Sequence, residues 1–126
     1  MQILIADSNE LHRRAQSELL RSEGYTVREA SNGSEVINLC GIFHETDSPL
    51  RLLILDLGLS DPPLTEVQST LRDTCDAPVI LLWDGSDTNL QDLEMRYRFS
   101  LFMLKPLHPE ELLINVKNTI QSVEES

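Results

Sequence analysis

Asp7, Asp56 and Lys105 are the residues best placed to do chemistry, because each directly follows a short apolar run: ILIA before Asp7, LLIL before Asp56 and LFML before Lys105. If those runs are parallel strands of an open α/β sheet, all three charges lie on the rim beyond the carboxyl ends, where such sheets bind ligands. Two carboxylates and an ammonium gathered there could hold a hard cation such as Mg²⁺ through oxygen ligands and accept a phosphoryl group. Trp83 and Asp84 end a fourth run, Pro78 to Trp83, and belong to the same rim. Plainer roles compete with these. Asp56 could cap a loop, Asp7 could bond a helix N-terminus, Lys105 could be a solvated lysine beside a proline, Trp83 could fill the core, and Asp84 could close a turn.

The elements that must position these residues follow from the hydrophobic pattern. Short apolar runs alternate with longer stretches of helical period, which argues for βαβ units around a parallel sheet covered on both faces. The first strand is Ile3 to Ala6. Ser8 or Asn9 then caps a helix with apolar positions Leu11, Ala15, Leu19 and Leu20, which Gly24 stops. Tyr25 to Val27 gives a second strand, and Asn32-Gly33-Ser34 leads into a helix carrying Val36, Ile37, Cys40 and Phe43. A polar stretch from His44 to Pro49 precedes the most apolar strand, Leu52 to Leu55. The loop from Gly58 to Pro63 leads into a helix through Val67 and Leu71. After the fourth strand, Asp84 to Asp87 turn into a short helix. The fifth strand is Leu101 to Leu104, and a last helix from Pro109 carries Leu112, Leu113, Val116 and Ile120 on one stripe.

At 126 residues the chain has the length of one domain. We read residues 1–122 as that domain and residues 123–126 as a tail or the start of a linker. No apolar run approaches the ~20 residues that cross a bilayer, and the start MQILIADSNE has no basic leader, so a cytoplasmic, non-membrane protein is expected. A net charge of −11 opposes binding to a phosphate backbone, so no nucleic acid is expected as a partner of this domain alone. Cys40 and Cys75 are distant in sequence and form no C-x-x-C motif, so they are read as reduced structural thiols. His12, His44 and His108 are read as surface or capping residues. A flavin-binding module is disfavoured because no Ser/Thr/Gly-rich phosphate loop follows the first strand.

The stretches ILIADS, GYTVREASNG, LLILDLGL, APVILL and LFMLKPLHPEEL, in this order and spacing, resemble the receiver domain of two-component response regulators over nearly the whole chain. That resemblance implies a flavodoxin-like, doubly wound sheet of five parallel strands in the order 2-1-3-4-5 with five helices. It also implies that Asp56 stands at the phosphoacceptor position, that Lys105 contacts the phosphoryl oxygens, and that Asp7, Asp56 and the Gly58 backbone carbonyl ligate Mg²⁺. Phe102 matches the switching aromatic residue.

The departures from the family pattern cluster at the same rim. Ser8 replaces the second acid, which weakens the expected Mg²⁺ site without abolishing it. Trp83 replaces a Thr or Ser whose hydroxyl bonds the phosphoryl group, an interaction of about 1.5–3 kcal/mol that an indole cannot make. Asp84 replaces a small residue and would repel a phosphoryl group of about −1.5 to −2 charge. Ser60 and Leu64 stand in for the usual Pro and Gly. The resemblance therefore implies a signalling receiver that acts by protein contact with an impaired phosphorylation site and, beyond self-phosphorylation, no enzyme activity. The alternative is a conventional Mg²⁺-dependent switch phosphorylated on Asp56 by a histidine kinase. Its implied partners are a histidine kinase or another signalling protein, and a second copy through the face of the fourth helix, fifth strand and fifth helix.

Overall fold

The computed structural model describes residues 2–44, 46–86 and 88–124, with the backbone alone for 123 and 124. Glu45 of the polar stretch and Asp87 of the fourth turn lie outside the described residues, as do the last two positions of the expected tail. The elements alternate strictly: β1 (Gln2–Ala6), α1 (Glu10–Ser22), β2 (Thr26–Ala30), α2 (Gly33–Phe43), β3 (Leu50–Asp56), α3 (Leu64–Leu71), β4 (Val79–Trp83), α4 (Leu90–Arg96), β5 (Leu101–Leu104) and α5 (Pro109–Glu124). The strands form one parallel sheet in the order β2-β1-β3-β4-β5. This is the order expected from the resemblance.

Successive residues of a strand face opposite sides of the sheet, and the core divides accordingly. Leu4, Leu53, Leu55, Val79, Leu81 and Trp83 pack with α2, α3 and α4 on one face. Ile3, Ile5, Ile54, Ile80, Leu82 and Met103 pack with residues of α1 and α5 on the other. The three inner strands bury both faces, which is why β1, β3 and β4 read as unbroken apolar runs rather than alternating ones.

Helix α1 has the expected period in a different phase. Its inner positions are Arg13, Gln16, Ser17 and Leu20, spaced i, i+3, i+4 and i+7, whereas Leu11 and Ala15 are exposed. Polar side chains occupy inner positions here, so apolar residues alone do not mark the buried face. Asn9 rather than Ser8 is the cap, its side chain accepting from the His12 N–H. Gly24 ends the helix at φ 93°, a conformation that a Cβ would strain, and β2 begins only at Thr26.

Gly33 serves a different purpose at the start of α2. A Cβ there would overlap the carbonyl of Pro62 and the side chain of Val67. The Gly33 and Ser34 N–H groups donate to the carbonyls of Ser60 and Asp61 at 2.8 and 2.9 Å. These contacts dock the loop that follows Asp56 onto α2. Leu64 is buried in the core at the start of α3.

Candidate functional site

Strand register brings the rim together. Ala6 pairs with Leu55, so Asp7 and Asp56 leave the sheet at the same level. Asp56 pairs with Leu82, and Trp83 with Leu104, so Lys105 emerges slightly further along. Two-residue periodicity then assigns the sides. Asp7 continues the face of Ile5, Asp56 that of Ile54, and Lys105 that of Met103, and all three of those apolar residues belong to one core cluster.

The lysine consequently reaches back between the two acids. Its Nζ donates to Asp56 Oδ2 at 2.6 Å and to Asp7 Oδ2 at 2.9 Å. The other carboxylate oxygens are also engaged: Asp7 Oδ1 accepts from the Asn9 N–H, and Asp56 Oδ1 accepts from the Gly58 N–H. Arg13 donates to the backbone carbonyl of Asp7 at 2.9 Å and is itself held by Glu29. The peptide bond between Lys105 and Pro106 is cis.

Burial separates the two acids electrostatically. The Asp7 side chain is only 1 % exposed, and burial favours its neutral form. Hydrogen bonds from Lys105 and the Asn9 N–H outweigh that cost and hold its pKa below the usual carboxylate value. Asp56 is pushed the other way, because burial, helped by the charge of Asp7, prevails over its bonds to Lys105 and Gly58. Lys105 is also desolvated, but the two carboxylates more than compensate and raise its pKa. The arrangement is an ammonium shared by two acids, one firmly ionised and one less so.

The tip of β4 is built differently. Trp83 continues the face of Val79 and Leu81, opposite to the acids, and is almost fully buried. Its ring meets Phe102 edge-on at 6.2 Å, and Phe102 meets Phe99 likewise at 6.3 Å. The indole N–H donates to the carbonyl of Ser86 at 3.1 Å. The side chain thus fills the core, and it does not line the cleft beside Asp56. Asp84 is exposed and closes the turn, accepting from both the N–H and the hydroxyl of Ser86, which together lower its pKa. That is the plainer of its two expected roles.

A cleft of about 430 Å³ opens beside Asp56 and Lys105, and Gly58, Asp84, Ser86, Thr88 and Arg96 also line it. Ser86, Thr88 and Arg96 were not singled out from the sequence. The Asp-Gly-Ser turn was a signal for Ser86, but nothing local marks Arg96. Ser8 is exposed, outside the bonded cluster. Among the described residues no three or more His, Cys, Asp or Glu side chains gather as a metal site. Asp7 and Asp56 offer hard carboxylate oxygens of the kind that suits Mg²⁺. No helix among the described residues is long and apolar enough to cross a membrane.

Comparison with known proteins identifies the family and the fold. The family profile described as "Response regulator receiver domain" matches residues 3–117. The transcriptional regulatory protein SrrA of Staphylococcus aureus is 29 % identical over 117 residues, which are 92 % of this chain and 46 % of that protein. The chain therefore spans about half the length of the curated relatives it matches. Among solved structures, the receiver domain of the hybrid histidine kinase CckA superposes with a TM-score of 0.76 at 25 % identity, covering 95 % of this chain and 99 % of that one. A CheY-like receiver domain protein from Methanospirillum hungatei JF-1 superposes with a TM-score of 0.81 at 20 % identity, covering 98 % and 96 % of the two chains.

Proposed function

Because the chain belongs to the response regulator receiver domain family, we propose that it relays a two-component signal by protein contact, with Asp56 at the phosphoacceptor position and an impaired phosphorylation site. The observation that carries this reading is the make-up of the rim around the Lys105–Asp56–Asp7 cluster: Ser8 is exposed outside it, Trp83 is buried with its N–H on the Ser86 carbonyl, and the Asp84 carboxylate lines the cleft beside Asp56. The acids are already neutralised in part by a built-in cation, and the missing acid at Ser8 leaves a second cation less attraction than the family pattern supplies. Mg²⁺, when bound, would shield the charge of an incoming phosphoryl group. The residues suited to hold it are Asp7, Asp56 and the Gly58 carbonyl, weakly.

In phosphoryl transfer an Asp56 carboxylate oxygen would attack phosphorus as the bond to the donor nitrogen breaks. Lys105 would then shift its hydrogen bonds onto the phosphoryl oxygens. No hydroxyl at position 83 can join it, and Asp84 opposes the added charge. With Trp83 buried against Phe102, the aromatic pair lacks the usual hydroxyl-linked trigger. A histidine kinase or another signalling protein is the proposed upstream partner. A second copy is the proposed partner for the face where Leu90 and Met95 of α4, Leu104 of β5 and Ile114 of α5 are exposed. The reading takes the domain to be cytoplasmic and not to bind nucleic acid by itself.

One observation favours the conventional switch as a second reading. The cleft over Asp56 is lined by Arg96 and by the hydroxyl residues Ser86 and Thr88, groups able to bond a phosphoryl group from the far side. Intact mass after incubation with Mg²⁺ and a low-molecular-weight phosphodonor separates the two. We expect no stable addition; a single phosphoryl group, lost in Asp56→Asn, supports the conventional switch instead. Ser8→Asp should raise Mg²⁺ affinity, and no gain would count against the proposed ligand set.

A further inference from the structure

Cys40 and Cys75, unrelated in sequence, meet in the fold. Cys40 lies on the inner face of α2, 2 % exposed, in the same core cluster that Cys75 packs against from the segment between α3 and β4. Both thiols are free. They line one small cavity of about 70 Å³ at the amino end of β3, away from the acid rim, and His44 and Asp76 share it. Cys75 follows α3 by four residues, and its backbone N–H donates to the Leu71 carbonyl at 2.9 Å, which ties this segment to the helix end.

The two sulfurs differ in character. Each is the foremost influence on the other's ionisation. The neighbouring Cys40 thiol, helped by the Ala77 backbone N–H and the charge of His44, lowers the pKa of Cys75 to about 6 against the opposing effects of burial and Asp76. The neighbouring Cys75 and burial push Cys40 up, so that it keeps its proton. A partly buried thiol of lowered pKa beside a buried one is the pairing in which one sulfur reacts first and the other resolves the product.

We propose that Cys40 and Cys75 form a site of reversible oxidation, closing to an intramolecular disulfide on exposure to hydrogen peroxide and reopened by a dithiol. The Cys75 sulfur attacks one peroxide oxygen and the O–O bond breaks. Hydroxide leaves and takes a proton from solvent to become water, and the sulfur, oxidised by two electrons, becomes a sulfenic acid. The Cys40 sulfur then attacks Cys75, the S–S bond forms and the S–O bond breaks. The Cys40 proton departs with hydroxide as the second water. Two thiols and one peroxide thus give one disulfide and two waters. The link would join α2 to the segment after α3 beside the start of β3, the strand that carries Asp56 at its other end, and it needs no change at the acid rim.

The test is peroxide treatment of the reduced, native 126-residue chain, followed by alkylation and peptide mapping without reduction. Joined peptides containing Cys40 and Cys75, separated again by dithiothreitol, are expected. In Cys40→Ala, oxidation should stop at a Cys75 sulfenic acid that dimedone traps. In Cys75→Ser, a substitution at a partly buried position outside the helices and strands, Cys40 should stay reduced. Alkylation of native Cys75 should follow a pH profile with its midpoint near 6. Peroxide products confined to separately oxidised cysteines or intermolecular dimers would overturn the proposal, as would a Cys75 profile centred at the ordinary thiol value.

Discussion

The carboxyl rim of the sheet has two halves that are held together in opposite ways. On one half, Lys105 joins Asp7 and Asp56 across 98 and 49 positions of sequence. On the other, Asp84, Ser86 and Trp83 bond one another within three positions. The first half exists only when three strands are in register. The second is a local turn anchored by an aromatic core residue. Ser8, beside the ionic half, and Trp83 and Asp84, in the local half, are the rim positions at which the sequence resemblance implies departures from the receiver pattern. The local half is therefore satisfied by neighbours in sequence, and the lysine bonds of the ionic half depend on strand register.

Substitutions at Trp83 should show the largest effect. Trp83→Ala removes a buried aromatic ring and is expected to cost about 3–5 kcal/mol in urea unfolding, even though the ionic half loses no contact. If unfolding is unchanged, the indole does not anchor the local half.

Lys105→Met comes next. It leaves two carboxylates facing each other, one of them nearly inaccessible. The expected loss is about 2–3 kcal/mol, below the range for a fully buried pair because Lys105 and Asp56 keep some exposure. The pH dependence has a definite sign. The pKa of Lys105 is raised above 10.5, so its contribution is complete below pH 10.5 and disappears as pH climbs through the raised value. The wild type should lose that stability in an alkaline titration, and Lys105→Met should not.

A smaller contrast should separate the two acids. The pKa of Asp7 lies below 3.8, so its ionised form stabilises the fold above pH 3.8, and that stability goes as pH falls through the lowered value. The pKa of Asp56 lies above 3.8, so the stability linked to it is complete below pH 3.8 and is lost as pH rises through the raised value. At neutral pH, Asp7→Asn should lower the urea midpoint while Asp56→Asn leaves it level or higher. The reverse order would contradict the assignment of the firmly ionised acid. The smallest effect belongs to Asp84→Ala, which should speed hydrogen exchange at the Ser86 amide with little change in overall unfolding.

Much of this was legible before any coordinates. The apolar runs before Asp7, Asp56 and Lys105 are nearly continuous because inner parallel strands are buried on both faces, and this pattern needs no tertiary information to recognise. The side of Trp83 was also available in principle, since alternation along β4 groups it with Val79 and Leu81 rather than with the acids. The inner face of α1 was not, because Gln16 and Ser17 occupy positions where a hydrophobic pattern expects apolar residues. Nor was the contribution of Arg96 to the cleft, which depends on where α4 lies.

By itself the amino-acid sequence determined the alternation of strands and helices, the family resemblance, and the ionic residues at the strand ends, because burial on two faces and turn chemistry act over a few residues. Only the tertiary structure decided that one ammonium serves both acids, that the two acids are shifted in opposite directions, and that Cys40 and Cys75 meet. Hydrogen bonding, desolvation and thiol contact depend on distances of a few ångströms between residues far apart in the chain, and strand register and helix packing set those distances.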